Sequence, residues 1–205
     1  METVYGTYLG STEAGGSSKL GTLFEITGAG TLTTIHTFQG TEGEFPVAPL
    51  VPGPSGRFYG VNEYGTNNIN GDILSITANG SNFKLVHRFP IGKTAAAKPV
   101  QLLVVVGGNF YGIMARGGAN NAGTIFQMTP TGTVTILHDF SGYPTGGAQP
   151  LSLLQATDGN FYRGTWTGGT LGAGVAFKLS TGLPPFVETV PTSGCVGNVV
   201  VLEPT

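Results

Sequence analysis

Cysteine, charge and long hydrophobic runs are all scarce in this chain of 205 residues. Cys195 is the only cysteine, which excludes an intrachain disulfide and a cluster of zinc-binding thiolates. Charged residues make up 10% of the sequence, the net charge is −2, and no basic block occurs, so we expect no nucleic-acid partner. The longest aliphatic run, residues 102–106, is far shorter than the roughly 20 residues of a membrane span. We therefore expect no membrane insertion, and the first twenty residues show no signal peptide.

Glycine, in contrast, is abundant. The chain contains 35 glycines, about one residue in six, against a usual one in fourteen. They do not recur every third residue, which excludes a collagen helix. Because 40% of the residues are hydrophobic, the chain can build a core and is not a disordered polymer. This composition is typical of a neutral, turn-rich β protein.

The sequence repeats itself with a period of about 51 residues. His87 follows His36 by 51 residues, and His138 follows His87 by the same distance. A Gly-aliphatic-aromatic block recurs in the same order at residues 21–27, 71–77, 123–129 and 174–180. An aromatic–glycine step recurs at residues 58–60 and 110–112, at Phe161-Tyr162 followed by Arg163, and, in the first unit, at Tyr5-Gly6. Blocks in constant order at a constant period indicate tandem repeats.

Each unit contains the pattern of four short strands. Hydrophobic and polar residues alternate over residues 124–128 and 133–140, and Asn79-Gly80 is a strong hairpin turn. No window shows a helical period, so the sequence predicts an all-β fold. Four strands in about 50 residues is the size of one kelch-like β-propeller blade. We predict units at about 5–58, 59–110, 111–161 and 162–181, which gives three full blades, a partial fourth and an incomplete ring.

Aligned in this way, the units read aromatic-Tyr-Gly, Gly-Gly, Gly-Thr-x-Phe, His-x-Phe, Pro-x-x-x-Leu and Asp-Gly-Asn-Phe-Tyr. The pattern resembles the GloVer tandem repeat of bacterial choice-of-anchor proteins, over about residues 1–180. The resemblance implies a propeller-like repeat region on an exported or surface-attached protein, without established catalytic residues. The sequence departs from the pattern at Arg163, where glycine is expected. The first unit also carries extra residues between Tyr5 and Gly15.

The last part of the chain, residues 182–205, has a different composition. Residues 182–185 (GLPP) read as a short stiff linker. The residues from 185 onward resemble the opening of an IPT/TIG immunoglobulin-like domain, which needs roughly 80 to 100 residues for its sandwich. We therefore expect a fragment or a shortened gene product, with copies that complete a ring as the alternative. Exposed terminal blades predict self-association when the chain is expressed alone.

The three repeated histidines are the most obvious candidate site. His36, His87 and His138 could bind zinc together or line a central channel. Equivalent places on successive blades are held apart, however, and the fourth unit has no histidine. We therefore interpret them as structural or hydrogen-bonding side chains and predict no metal site, with a channel-lining ligand contact as the weaker alternative.

Other chemical motifs are incomplete. The glycines at 118–123 lack the lysine and the helix of a phosphate loop, and no pair of carboxylates or Gly-x-Ser-x-Gly elbow stands out. We predict no catalytic residue and no cofactor. Trp166 and Tyr143 could stack on a sugar, although packing is the simpler interpretation.

These observations predict a non-enzymatic structural or binding module of an exported or cell-surface protein. The expected partner is a surface glycan or a protein. The alternative is a fragment of a carbohydrate-active propeller enzyme whose catalytic acids lie outside this chain.

Overall fold

A computed structural model describes residues 6–65, 69–90, 97–104, 108–144 and 146–182. The described residues form sixteen strands, one short 3-10 turn at Pro54–Gly56 and no α-helix. The first sheet contains β1 (Thr7–Thr12), β2 (Thr22–Thr27) and β3 (Leu32–Thr37). The second contains β4 (Glu44–Pro46), β5 (Val51–Pro52), β6 (Arg57–Gly65), β7 (Ile69–Thr77) and β8 (Lys84–Arg88). The third contains β9 (Ala97–Val104), β10 (Phe110–Arg116), β11 (Thr124–Met128) and β12 (Val134–Asp139). The fourth contains β13 (Gly147–Pro150), β14 (Leu154–Gln155), β15 (Phe161–Gly168) and β16 (Ala176–Leu179).

All the paired strands in these sheets are antiparallel. Most pairs join consecutive strands, but β4 and β5 both pair with β6, and β13 and β14 both pair with β15. Tight turns connect the last two strands of the first three sheets. In each turn a glycine has a positive φ (Gly30 85°, Gly80 81° and Gly132 95°), and its N–H donates to the carbonyl oxygen three residues earlier. A residue with a β-carbon is disfavoured at such a φ, so glycine marks the same corner of each unit. The all-β prediction is confirmed.

The sheets divide the chain differently from the predicted units. We placed each unit's start at the aromatic strand, but in the third sheet β9, which carries Pro99, comes first and the aromatic strand β10 comes second. The second and third sheets contain all four positions of the unit. In the described part of the chain the first sheet lacks the leading position and the fourth sheet lacks the last. Among the described residues, no strand pairing joins the fourth sheet to the first, and no closed sheet is formed.

Strand pairing also corrects the alignment of the first unit. Gly10 lies opposite Phe24, as Gly112 lies opposite Phe126. The aromatic–glycine step of this unit is therefore Tyr8-Leu9-Gly10, and Tyr5-Gly6, of which Tyr5 is outside the described residues, was the wrong match. The apparent extra residues disappear with this change. Glycine leaves room for the opposing ring at this step, because a β-carbon on Gly10 would lie 2.4 Å from the Cζ atom of Phe24.

The hydrophobic core lies between successive sheets, not within one sheet. One cluster joins the first sheet to the second and includes Leu9, Phe38 and Ile76. Another joins the second to the third through Tyr59 and Phe110. A further cluster, with Tyr111, Phe140 and Phe161 among its members, joins the third to the fourth. Stacking of this kind is what a repeat unit needs, since one blade cannot bury both of its faces alone.

A glycine–proline contact recurs where two sheets meet. The glycine comes directly before or within the strand that follows the aromatic strand (β2, β7 or β11), and the proline lies in the leading strand of the next sheet. The three pairs are Gly21 with Pro46, Gly71 with Pro99, and Gly123 with Pro150. A β-carbon on Gly21 or Gly123 would come within 2.5 Å of the proline Cδ, closer than van der Waals contact allows. The missing side chain therefore sets the spacing between sheets.

The linker and the IPT/TIG-like segment at 183–205 lie outside the described residues. Among the helices that the structure describes, none is long and apolar enough to cross a membrane.

Candidate functional site

The leading strands carry strained backbone at one repeated position. Phe45, Lys98 and Gln149 have φ values of 56°, 55° and 56°, and each directly precedes a proline. Left-handed backbone costs a residue with a β-carbon about 1 to 2 kcal/mol. The N–H of Phe45 donates to the carbonyl oxygen of Leu20 at 2.9 Å, and that of Gln149 donates to Ala122 at 2.8 Å. The strained position thus holds neighbouring sheets together while its side chain differs from unit to unit.

Next to this position an open groove separates the third sheet from the fourth. It has a volume of about 230 Å³. Its lining residues are Val100, Ala115, Gln149, Pro150, Leu151 and Trp166. None of them carries a charge, and the indole of Trp166 is 66% exposed. The groove can therefore offer an aromatic face and a carboxamide to a neutral ligand, but it holds no acid or base.

The junction between the second and third sheets carries ionic side chains at the equivalent positions. Glu63 and Lys98 occupy the positions of Ala115 and Gln149 there, and the ammonium lies 2.5 Å from the Glu63 carboxylate. The same ammonium donates to the Tyr64 hydroxyl at 2.9 Å and sits 4.8 Å from the centre of that ring. At the groove of Trp166 the corresponding side chains, Ala115 and Gln149, are uncharged and form no such ion pair.

A larger groove, of about 460 Å³, lies between the first and second sheets. Its lining residues are Leu9, Gly10, Ser11, Glu13, Phe24 and residues 46–49. The Ser11 hydroxyl donates to the carbonyl oxygen of Ala48 at 3.2 Å. Glu13 is the one carboxylate among these lining residues. One carboxylate can bind a ligand hydroxyl, whereas glycoside hydrolysis needs two that flank the bond.

The three repeated histidines line neither of the two grooves. His36, His87 and His138 are on β3, β8 and β12, the last strands of their sheets. Each ring meets the phenylalanine two residues later edge-on, with centroids 4.7 to 4.9 Å apart. Within the described residues, no group of three His, Cys, Asp or Glu side chains could hold a metal ion.

Two of these histidines contact the following sheet. The His36 ring stacks on Phe83 at 4.2 Å, and its Nε2 lies 3.5 Å from a Glu42 oxygen. The Nδ1 of His87 lies 3.0 Å from the carbonyl oxygen of Gly132, in the turn between β11 and β12. Burial lowers the pKa of both histidines, against the opposing effects of Glu42 and the Gly132 carbonyl. Burial also lowers the pKa of His138, and Asp139 opposes it.

Trp166 and Tyr143 do not share a site. Tyr143 is 71% exposed and is not among the residues that line the groove of Trp166. The structure therefore gives the two aromatic side chains separate surroundings, since Tyr143 lines neither of the two grooves described above.

Sequence reasoning missed a buried polar pair in the second sheet. Asn62 and Asp72 are fully buried, and the Asn62 amide donates to the Asp72 carboxylate at 2.8 Å. Burial raises the pKa of Asp72 to about 7, against the effects of Asn62 and Arg88. Comparing the repeats could have found it, because threonine stands at the corresponding position in the first and third sheets (Thr22 and Thr124). Neither groove is lined by this pair.

Comparison with solved structures places these sheets in a known architecture. A provisionally assigned gluconolactonase shares 10% sequence identity, with a TM-score of 0.50 over 78% of this chain. A provisionally assigned 6-phosphogluconolactonase from Bacteroides fragilis shares 17% identity, with a TM-score of 0.47 over 76% of this chain. The chain spans only 56% and 44% of the length of these two proteins. At such low identity the first likeness shows a β-propeller-like fold alone.

Family membership rests on the repeat itself. Among curated proteins, none matches this sequence. The profile of the Gloeobacter/Verrucomicrobia repeat matches residues 1–189, which include all four described sheets. The chain therefore belongs to the Gloeobacter/Verrucomicrobia repeat family, the GloVer repeat that its sequence pattern resembles.

Proposed function

We propose that this repeat region is a non-catalytic binding module of an exported or cell-surface protein, and that it holds a neutral glycan in the groove beside Trp166. The observation that carries the proposal is an indole 66% exposed at the rim of an uncharged groove. An exposed tryptophan presents a rigid apolar face, which suits the C–H face of a sugar ring. The carboxamide of Gln149 can both donate and accept hydrogen bonds, as sugar hydroxyls require.

The proposal is non-catalytic because the groove lacks ionisable groups. General acid–base catalysis needs a titratable side chain within hydrogen-bond reach of the reacting group. Asp72 has a pKa that burial raises to about 7, which would suit a general acid or base. Its carboxyl is fully buried, however, and lines neither groove. The exported location is inferred from the family resemblance.

A glycan array probed with the whole chain tests this function, followed by calorimetric titration with a glycan from the array, which needs no tryptophan signal and so also measures the Trp166 variant. We expect Trp166→Ala to weaken binding at least about tenfold, which corresponds to 1.4 kcal/mol. Tyr143→Ala is the matched control, because it removes an equally exposed ring outside the groove. Glycan binding that survives Trp166→Ala, or no glycan binding at all, would contradict the proposal.

The second candidate is a carbohydrate-active enzyme whose catalytic acids come from outside this chain, and the observation that favours it is Glu13 in the larger groove between the first and second sheets, a carboxylate that could bind the substrate beside them. A screen for released reducing sugar decides between the two functions. Release that is abolished by Glu13→Gln and retained in Trp166→Ala would establish the enzyme and overturn the binding-only function.

A further inference from the structure

An exposed apolar row crosses the outer face of the first sheet. Strand pairing places Tyr8 beside Ile26, and Ile26 beside Leu32, on three adjacent strands. Residues directly opposite one another in a sheet share a face. Tyr8 is 43% exposed and Leu32 is 58% exposed, while Ile26 is half-buried. Phe24, two residues before Ile26 on β2, lies on the same face.

The same row is covered in every later sheet. Its members are Phe110, Met128 and Val134 in the third sheet, Phe58 and Ile76 in the second, and Phe161 and Leu179 in the fourth. Each of these sets packs against the preceding sheet. The row is thus the surface by which a unit stacks on the unit before it. In the first sheet the row keeps its apolar side chains but remains exposed.

The covering surface also has a constant chemistry. The third-sheet row is covered by Tyr59, Val61, Ile73 and Phe89 of the second sheet. The fourth-sheet row is covered by Tyr111, Ile113, Ile125 and Phe140 of the third. Ring contacts follow the same pattern, with Tyr59 4.4 Å from Phe110 and Tyr111 4.8 Å from Phe161. The surface that fits the exposed row is therefore a sheet face bearing tyrosine, two β-branched residues and phenylalanine.

The fourth sheet of this chain cannot provide that surface. Strand pairing places Tyr162, Gly164 and Ala176 at the positions of Tyr111, Ile113 and Ile125. Glycine and alanine thus stand where the third sheet has two isoleucines, and they bury little apolar area. A second copy stacked with its fourth sheet on the first sheet would leave Tyr8 and Leu32 poorly covered.

We propose that the outer face of the first sheet, made of Tyr8, Phe24, Ile26 and Leu32, is a docking surface for a further repeat unit of this family. The unit would present the Tyr-Val/Ile-Ile-Phe face that the second and third sheets present internally. Association by this surface is directional, since the far face of the fourth sheet lacks the matching side chains.

The test adds one unit in the same chain. A copy of residues 57–108 is inserted directly before Thr7. The added copies of β6 to β8 then form a sheet before the first sheet. The added copy of β9 leads into β1, as β9 leads into β10 in the natural chain. Leu32→Lys is then made in the natural and in the extended chain. We expect little change in the unfolding midpoint of the natural chain, where Leu32 is exposed, and a fall of about 4 °C or more in the extended chain. Leu171→Lys, at a position 91% exposed on a loop, is the control and should be silent in both.

Equal effects of Leu32→Lys in the two chains would overturn the proposal. If the extended chain does not fold, the natural chain is mixed with a full chain that carries Gly164→Ile and Ala176→Ile, which restores the missing face, together with Leu32→Lys, which keeps that chain from associating with itself. Sedimentation should then show a complex that Leu32→Lys on the natural chain abolishes. Absence of that complex, or a complex indifferent to Leu32→Lys, would also overturn the proposal.

Discussion

Replacing Gly123 by alanine should loosen the junction between the third and fourth sheets. Gly123 has a φ of +102°, and an added β-carbon would lie 2.5 Å from the Pro150 Cδ and 2.6 Å from the Met114 carbonyl oxygen. Neither neighbour is the flexible end of a side chain, so the leading strand of the fourth sheet must move. The unfavourable φ costs about 1 kcal/mol, and forced overlap in a packed region costs about 1–3 kcal/mol. We expect a loss of about 2–4 kcal/mol in the free energy of unfolding.

Two other glycines separate these contributions. Gly30 has a φ of +85° and nothing within 4 Å of an added β-carbon. Gly30→Ala should cost at most about 1 kcal/mol, because the strain is partly offset by the lower entropy of the unfolded chain. Gly71 lacks a positive φ, but its β-carbon would overlap the Asn62 carbonyl and the Pro99 ring. Gly71→Ala therefore measures the overlap alone.

Urea unfolding followed by far-ultraviolet circular dichroism measures all three variants. A shift of the midpoint without a change of slope reports stability directly. If Gly123→Ala were as stable as Gly30→Ala, within about 0.5 kcal/mol, the glycine–proline contact would not set the spacing between sheets.

Two other predictions concern charged groups. Burial raises the pKa of Asp72 from 3.8 to about 7, so the folded state holds this proton more tightly than the unfolded state does. The free energy of unfolding should therefore fall as pH rises from about 4 to 7, by up to about 1.4 kcal/mol per pH unit. Asp72→Asn should flatten this fall of stability with pH in unfolding experiments. Asp158→Asn is the control and should leave the fall intact, because the Tyr162 hydroxyl and Asn160 lower the pKa of that exposed carboxyl to about 2. An unchanged slope in Asp72→Asn would contradict the raised pKa of Asp72. Lys98→Met should lower the free energy of unfolding by about 1 kcal/mol or less, because a partly exposed ion pair with Glu63 contributes little. A much larger loss in the same assay would contradict this and would show that the pair holds the second and third sheets together.

Much of the architecture could be predicted from periodicity. The 51-residue spacing of the histidines and the alternation in residues 124–128 led to four-stranded propeller-like units. The order of strands within a sheet could not be read from the same pattern, because a tandem repeat has no intrinsic starting point. Only hydrogen bonding shows that the strand of Pro99 leads its sheet.

The alignment of the first unit failed for a related reason. Tyr5-Gly6 matches the aromatic–glycine step by residue type, yet Leu9-Gly10 occupies that step in space. Residue type is a weak guide where leucine replaces tyrosine, since either side chain can fill the same interior position. The opposing large residue, Phe24, is the better signal because its ring lies against a glycine across the strand pair.

The candidate site was harder to predict than the fold. In the sequence Trp166 is an isolated aromatic residue, whereas its groove is lined by residues distant along the chain, such as Val100 in β9 and Leu151 just after β13. Self-association through the terminal blades stays a prediction, and the faces of the first and fourth sheets differ in the side chains available for it. A buried pair such as Asn62 and Asp72 needs the pairing of β6 with β7 before it can be recognised.

Hydrogen–deuterium exchange of the Phe45 and Gln149 amides tests the stacked-sheet architecture most directly. Both N–H groups donate across sheets, to Leu20 and Ala122, and both belong to residues in left-handed backbone. We predict that they exchange slowly, at rates close to those of the central strands β6 and β10. Slow exchange in those central strands together with fast exchange at Phe45 and Gln149 would show separate hairpins without the repeated junction, and would contradict the account.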